Sequence, residues 1–278
     1  GERTARFVIG NELNAHRKTS EATYLRWYAQ AYLTAVRAIR RVHAEAELYP
    51  ASDAYFGNGE VLVEMLRAIQ AANSETLDLN AMLSGLGFHY YDNLSKLSER
   101  IAVYATIARA FSLDPNNLHL LELGKAESDM PGFTTLDHQQ VIIRNLVSAL
   151  ALQQLGKIQT AIWHTAECVG DPHGHALFIH DGDRFEPKPQ YATFELVSKL
   201  LYRILRFEEH QHSTGLYQVT CEARTSNNDQ VIVTWNRFRG SRGQIVGESE
   251  PIITMGLRGS ELSRRDLLTK PWSHLVQQ

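Results

Sequence analysis

An α/β chain of parallel βα units, followed by a small β-rich domain, is expected from three features of the 278 residues. Five short apolar runs alternate with longer segments of helical period, which is the pattern of a parallel sheet covered by helices. The runs end in polar residues, among them Glu12 and Glu122, where each strand should open into a loop. Past about residue 212 the character changes to short β-rich runs separated by Asn, Asp and Gly. Strands are accordingly predicted at 6–11, about 47–56, 85–91, 118–124 and 158–166, with helices near 20–44, 59–73, 97–112, 136–155 and 188–207.

The first strand reads Arg6-Phe-Val-Ile-Gly10-Asn11-Glu12. In the helix after it, Leu25, Tyr28, Ala29, Tyr32, Ala35, Val36, Ile39 and Val42 recur at three- and four-residue steps and turn one stripe inward. Ser20 and Glu21 suit its start, because a side-chain acceptor and a carboxylate answer the unpaired amides there. Pro50 removes a ladder donor from the second strand. Later helices repeat the stripe with Leu62, Met65, Leu66 and Ile69, then Ile101, Tyr104, Ile107 and Ala108, then Val141, Leu146, Leu150 and Leu155. Between the fifth strand and its helix a long loop, about Thr165 to Pro187, carries His173, His175 and His180, and is expected to wall a binding cleft. The β-rich runs are 215–221, 231–235 and 251–255, so the domains are placed at 1–212 and 213–278, the second sandwich-like.

The composition is 44% hydrophobic and 21% charged, enough apolar material for a large core. A formal net charge of −3 without long like-charge runs gives no electrostatic reason to expect nucleic acid or an anionic membrane as partner. The apolar stretches are too short and too interrupted to span a bilayer. Cys168 and Cys221 could pair or stay free. No n-region or h-region precedes the first strand, so any signal peptide is expected upstream of Gly1; a secreted or cell-surface location stays open. No Ser sits in a nucleophile-elbow pattern, and no Gly-rich phosphate loop opens a helix.

Chemistry is concentrated at the strand ends. Asn11-Glu12 closes the first strand, Phe88-His89-Tyr90-Tyr91 the third, Glu122 with Gly124 the fourth, and Trp163-His164 the fifth. Taken singly, these residues would be a helix cap, rim aromatics, a strand-end carboxylate and a packing residue. As an ordered set they resemble the clan A retaining glycoside hydrolases, which include cellulase-like (family 5) and β-xylosidase-like (family 39) enzymes. The resemblance covers roughly residues 1 to 207 and implies a (β/α)8 TIM barrel of which this chain holds strands four to eight. It implies Glu12 as general acid/base and Glu122 as nucleophile, with Asn11, His89, Tyr91, Trp163 and His164 around the sugar. The missing strands would come from an N-terminal barrel half or a second chain.

Physical reasoning supports that set independently of the family. Cleaving a glycosidic bond needs one acid to protonate the leaving oxygen and a carboxylate to meet positive charge on the ring. If Glu12 holds a proton near neutral pH its surroundings should raise its pKa, whereas donors should keep Glu122 ionised, and Tyr91 is the natural donor. Asn11 would bond the hydroxyl beside the reacting carbon, and Trp163 would supply an apolar face with His164 next to it. The expected partner is a carbohydrate, with no cofactor and no metal. His173-Gly-His175 and His210-Gln-His212 have the spacing of paired ligands but lack a carboxylate-rich companion motif. The competing readings are a noncatalytic carbohydrate-binding protein and a metal-dependent barrel hydrolase whose His-rich loop binds the ion.

Overall fold

Parallel strands cannot be joined by tight turns, so each needs a crossover, and helices supply it here. A computed structural model of the protein describes residues 5–13, 22–52, 59–73, 78–91, 97–124, 135–164, 167–169, 176–181, 184–241, 245–257 and 260–261. The chain divides into two compact units, one of residues 1–92, 97–123 and 156–163, the other of 93–96, 124–155 and 164–278.

The first unit runs β1 (Arg6–Ile9), α1 (Ala22–Val42), β2 (Glu47–Pro50), α2 (Glu60–Ala72), a short 3-10 turn (Leu79–Ala81), β3 (Leu86–Tyr90), α3 (Leu97–Ala110) and β4 (Leu118–Leu123). After α4 (Thr135–Gln154), which belongs to the second unit, β5 (Thr160–Trp163) returns to the first. β1 and β2 pair in parallel, Arg6 opposite Glu47 through Ile9 opposite Pro50, so the proline closes the strand where its missing donor costs least. β3, β4 and β5 form a parallel three-stranded sheet. Ser84 links the two sheets: its N–H donates to Leu48 O at 2.7 Å and its Oγ accepts from Leu48 N at 3.0 Å.

The helices bury most of the stripes that their periodicity marks; on α4 Val141 and Leu146 are buried and Leu150 half-buried, whereas Leu155, expected in the stripe, lies past the helix end and is 45% exposed. α2 buries Leu62, Met65, Leu66 and Ile69, and α3 buries Ile101, Tyr104, Ile107 and Ala108, with Tyr104 stacked on Phe88 at 4.6 Å. On α1 the buried set is Leu25, Tyr28, Ala29, Tyr32, Leu33 and Val36; Val42, expected in the stripe, lies 76% exposed in the last turn. The expected cap at Ser20 and Glu21 falls outside the described residues.

The second unit holds β6 (Glu167–Val169), β7 (Phe178–Asp181), β8 (Arg184–Pro187), α5 (Pro189–Leu200), β9 (Arg203–Ser213), β10 (Leu216–Arg224), β11 (Gln230–Arg239), β12 (Ile245–Glu248), β13 (Ile252–Leu257) and β14 (Ser260–Glu261). Two expectations are corrected. The segment read as a structureless loop carries a three-stranded sheet, β6 parallel to β7 and β7 antiparallel to β8. The helix expected to reach residue 207 stops at Leu200, because from Arg203 the backbone pairs with β10 over nine registered positions. Apolar alternation then fixes one face of the antiparallel sheet: Val219, Cys221, Ala223, Val231, Val233, Trp235 and Ile253 are buried. Arg237 reaches Glu248 at 2.8 Å and Glu209 at 3.2 Å, and Arg144 of α4 reaches Glu248 at 3.1 Å, which ties that helix to the sheet. Cys221 is a free thiol pushed up to about 12 by burial and so stays protonated; the side chain of Cys168 lies outside the described residues. No described helix is long and apolar enough to cross a membrane.

A polar network closes the starting ends of the parallel strands. Arg6 pairs with Glu47 at 2.6 Å, and Tyr49 donates to Glu47 at 2.9 Å. His119 Nε2 meets Asn117 Oδ1 at 2.8 Å, so Nε2 carries the hydrogen and Thr160 donates to Nδ1 at 2.9 Å. Burial, then the nearby Arg6 charge, hold the imidazole down at about 4. The unfolded chain therefore takes up this proton first as pH falls, so stability is complete above about 6.5 and declines toward 4. Urea unfolding across that window is expected to lose on the order of 1–2 kcal/mol, and His119→Gln to flatten the slope.

Candidate active site

At the opposite ends of the same strands the chain makes unusual turns. Gly10 follows β1 with φ +95°, and a Cβ there would lie 3.1 Å from both Ala51 Cβ and a ring carbon of Tyr28. Glu12 itself has φ +40°, uncommon for a residue with a side chain, and such a conformation persists only where its surroundings impose it. Tyr28 of α1 imposes it in part: its hydroxyl donates to Ile9 O at 2.6 Å and accepts from Ala51 N at 2.7 Å, fastening the end of β1 to the residue after β2. Ser52 then donates to Asn11 Oδ1 at 2.8 Å.

Glu122 is aimed by an irregularity in β4. Phe88 stands opposite Leu120 but His89 opposite Glu122, so Leu121 is one residue more than β3 can match. Gly87 makes room for it, since a Cβ there would come within 2.5 Å of Leu121 Cδ1.

These two devices bring four side chains together. His89 is 1% exposed, and its Nδ1 lies 2.7 Å from Glu12 Oε1 and 3.2 Å from Glu122 Oε2. The Tyr91 hydroxyl donates to Glu122 Oε2. Burial, followed by the Glu122 hydrogen bond and the charges of Glu122 and Glu12, drives the Tyr91 phenol far above its ordinary value, so it remains a donor. Glu12 and Glu122 are 25% and 23% exposed, open enough for a ligand to reach. The facing atoms of Glu12, His89 and Glu122 all lie within 4.8 Å of one another. Among the described residues these are the one group of three that could hold a metal ion.

Asn11 is exposed beside Glu12, held by Ser52. Trp163 ends β5 in register with Leu123 and is half-buried. His164 comes next, half-buried, and belongs to the second unit. His173 and His175 lie outside the described residues. His210 and His212 are exposed on β9 with ring centroids 5.2 Å apart. His89, read from sequence as a sugar contact, is buried between the two carboxylates. Ser52 and the Tyr28 hydroxyl carried no signal beyond a polar residue after a strand and an aromatic in a packing stripe. A groove of about 530 Å³ between α2 and α3, lined by Val63, Arg67, Val103 and Thr106 among others, is separate from these acids and has no comparable convergence of groups.

No protein-family model matches the chain, and no curated protein matches its sequence. Solved structures do match. The chain is similar to a glucosidase from Croceicoccus marinus, at 15% identity over 87% of this chain and 53% of that one, TM-score 0.56. It is similar to a GH39 β-xylosidase from Caulobacter crescentus, at 16% identity over 82% and 47%, TM-score 0.52. A family 51 α-L-arabinofuranosidase from Bifidobacterium longum matches at 12% identity over 82% and 52%, TM-score 0.52. The chain thus spans about half the length of these glycoside hydrolases. At such identities the likeness shows the fold, a partial TIM barrel.

The Tyr28 hydroxyl serves a buried N–H and a carbonyl at once, so Tyr28→Phe leaves the Ala51 amide without that acceptor. Denaturant unfolding is expected to show a loss of about 1–3 kcal/mol, the cost of one buried unsatisfied donor.

Proposed function

We propose that the protein belongs to an O-glycoside hydrolase acting on a β-linked saccharide or glycoside with retention of configuration. The observation that carries this reading is the approach of Glu12 and Glu122 to within 4.8 Å at the closest oxygens. Carboxylates about 5–5.5 Å apart attack directly, whereas a gap of roughly 6.5–9.5 Å is needed to seat a water between acid and sugar. The short spacing favours double displacement.

In this mechanism the sugar lies across the two acids. Glu12 gives its proton to the leaving oxygen as that bond breaks, and Glu122 forms a bond to the anomeric carbon from the opposite face. Glu122 Oε2 already accepts from Tyr91 and stands beside His89, so Oε1 is the oxygen assigned to attack. Water then yields a proton to Glu12 and its oxygen displaces Glu122. Asn11, with Oδ1 held by Ser52, has its amide N–H groups left to meet the hydroxyl beside the reacting carbon. Trp163 at the end of β5 offers an apolar face to the ring. A noncatalytic sugar-binding site would have no need to hold two acids against an imidazole.

The reading extends to architecture. Residues 1–212 are taken as strands four to eight of the barrel and 213–278 as an accessory β domain. The remaining strands would come from further chain or a second polypeptide, and turnover would require them. β1 supports this, since among the described residues it pairs with β2 alone and leaves Val8 43% exposed.

Aryl β-glycosides offered to the completed barrel test the assignment. Glu122→Gln is expected to abolish turnover with the fold retained, and azide to rescue Glu122→Ala as a glycosyl azide of opposite anomeric configuration. Glu12→Gln should lose about 10²–10⁴-fold, least with the best leaving groups. Undiminished turnover in Glu122→Gln would remove that residue from its role, and hydrolysis by the 278-residue chain alone would contradict the need for completion.

A further inference from the structure

The same three side chains have the donor set and spacing of a transition-metal site. Zinc takes imidazole nitrogen and carboxylate oxygen at about 2.0–2.2 Å, which places neighbouring ligand atoms roughly 3–3.5 Å apart. His89 Nδ1 already stands 2.7 and 3.2 Å from the two glutamate oxygens, and one ligand atom from each of the three residues lies within 4.8 Å of the others, so the two surface-reaching carboxylates would have to draw together around the ion. We propose that Glu12, His89 and Glu122 bind a borderline divalent cation such as Zn²⁺, and that the bound ion shuts the site off from sugar; the second half rests on the reading of these glutamates as the catalytic pair.

The chemistry selects the ion. Two carboxylates match its double charge, and one nitrogen among three donors disfavours calcium and magnesium, which look for all-oxygen shells of six or more. On binding, the Nδ1 hydrogen leaves, to Nε2 or to water, and the freed lone pair takes the metal. No electron is transferred. His89 is fixed by burial, while Glu12 and Glu122 reach the surface and can close on an ion entering from solvent. Tyr91 orients Glu122 through its hydrogen bond, as a partner behind the ligands commonly does. A fourth position remains open to water.

The exposed pair His210 and His212 is the competing explanation for any zinc uptake. Calorimetric titration of zinc into the full 278-residue chain separates the two. Glu12→Gln and Glu122→Gln are each expected to weaken zinc binding by at least about tenfold, in the range metal sites lose when a supporting group is removed. The double variant His210→Ala, His212→Ala is expected to bind as the parent does. Affinity that follows the β9 histidines, or that neither glutamine change reduces, would overturn the site. This readout needs no substrate, so a chain inert toward every glycoside still decides it, and that inertness counts against the hydrolase reading alone. In a completed barrel that turns over glycoside, saturating zinc should abolish activity and a chelator restore it; full activity with zinc bound at the glutamates would overturn the blocking role.

Discussion

Two carboxylates held within 4.8 Å of each other repel, and in this chain a buried imidazole nitrogen stands beside both. His89 cannot swing away, since it is 1% exposed and lies near the end of β3, opposite Glu122 of β4. Its N–H offsets charge at the place where two acids would otherwise push apart, and Tyr91 adds a second donor from two residues further on. The rest of the first unit can be understood as a frame that delivers each acid to that nitrogen.

The frame works at two ends with different means. Where the strands start, Arg6, Glu47, Tyr49, His119 and Thr160 form a closed polar network whose members satisfy one another. Where the strands finish, Tyr28 and Ser52 pin backbone and Asn11 while the two glutamates keep part of their surface open. Barrel architectures commonly divide labour along the strand axis in this way, stability at one end and chemistry at the other.

Much of this was legible in the residues. Apolar runs ending in Glu12 and Glu122 marked the strand ends, and the helical stripes of α2 and α3 bury the residues their spacing singled out. Tyr91 could be named as the donor to Glu122 because phenols beside carboxylates donate. The rest depended on information that a linear pattern does not hold. Which member of His89 and Tyr91 turns inward depends on how β3 and β4 align, and that alignment includes an unmatched residue. Leu200, Leu201, Ile204 and Leu205 continue a helical period, yet β10 offers the backbone from Arg203 a ladder of nine registered pairs with two irregularities, and pairing prevails over propensity. The strands of three and four residues inside the 165–187 segment are too short to show alternation.

Successive side chains of a strand point to opposite sides, so Leu120 and Glu122 would share a side if β4 were regular. The unmatched residue breaks that parity and lets Glu122 stand abreast of His89. What aims this carboxylate is therefore the number of residues in the strand more than their kind. Evolution could exchange Leu121 for another side chain that tolerates the space over Gly87, but were β4 to pair with β3 without the break, the same residues would set Glu122 opposite Tyr90, on the side of Leu120 and away from His89.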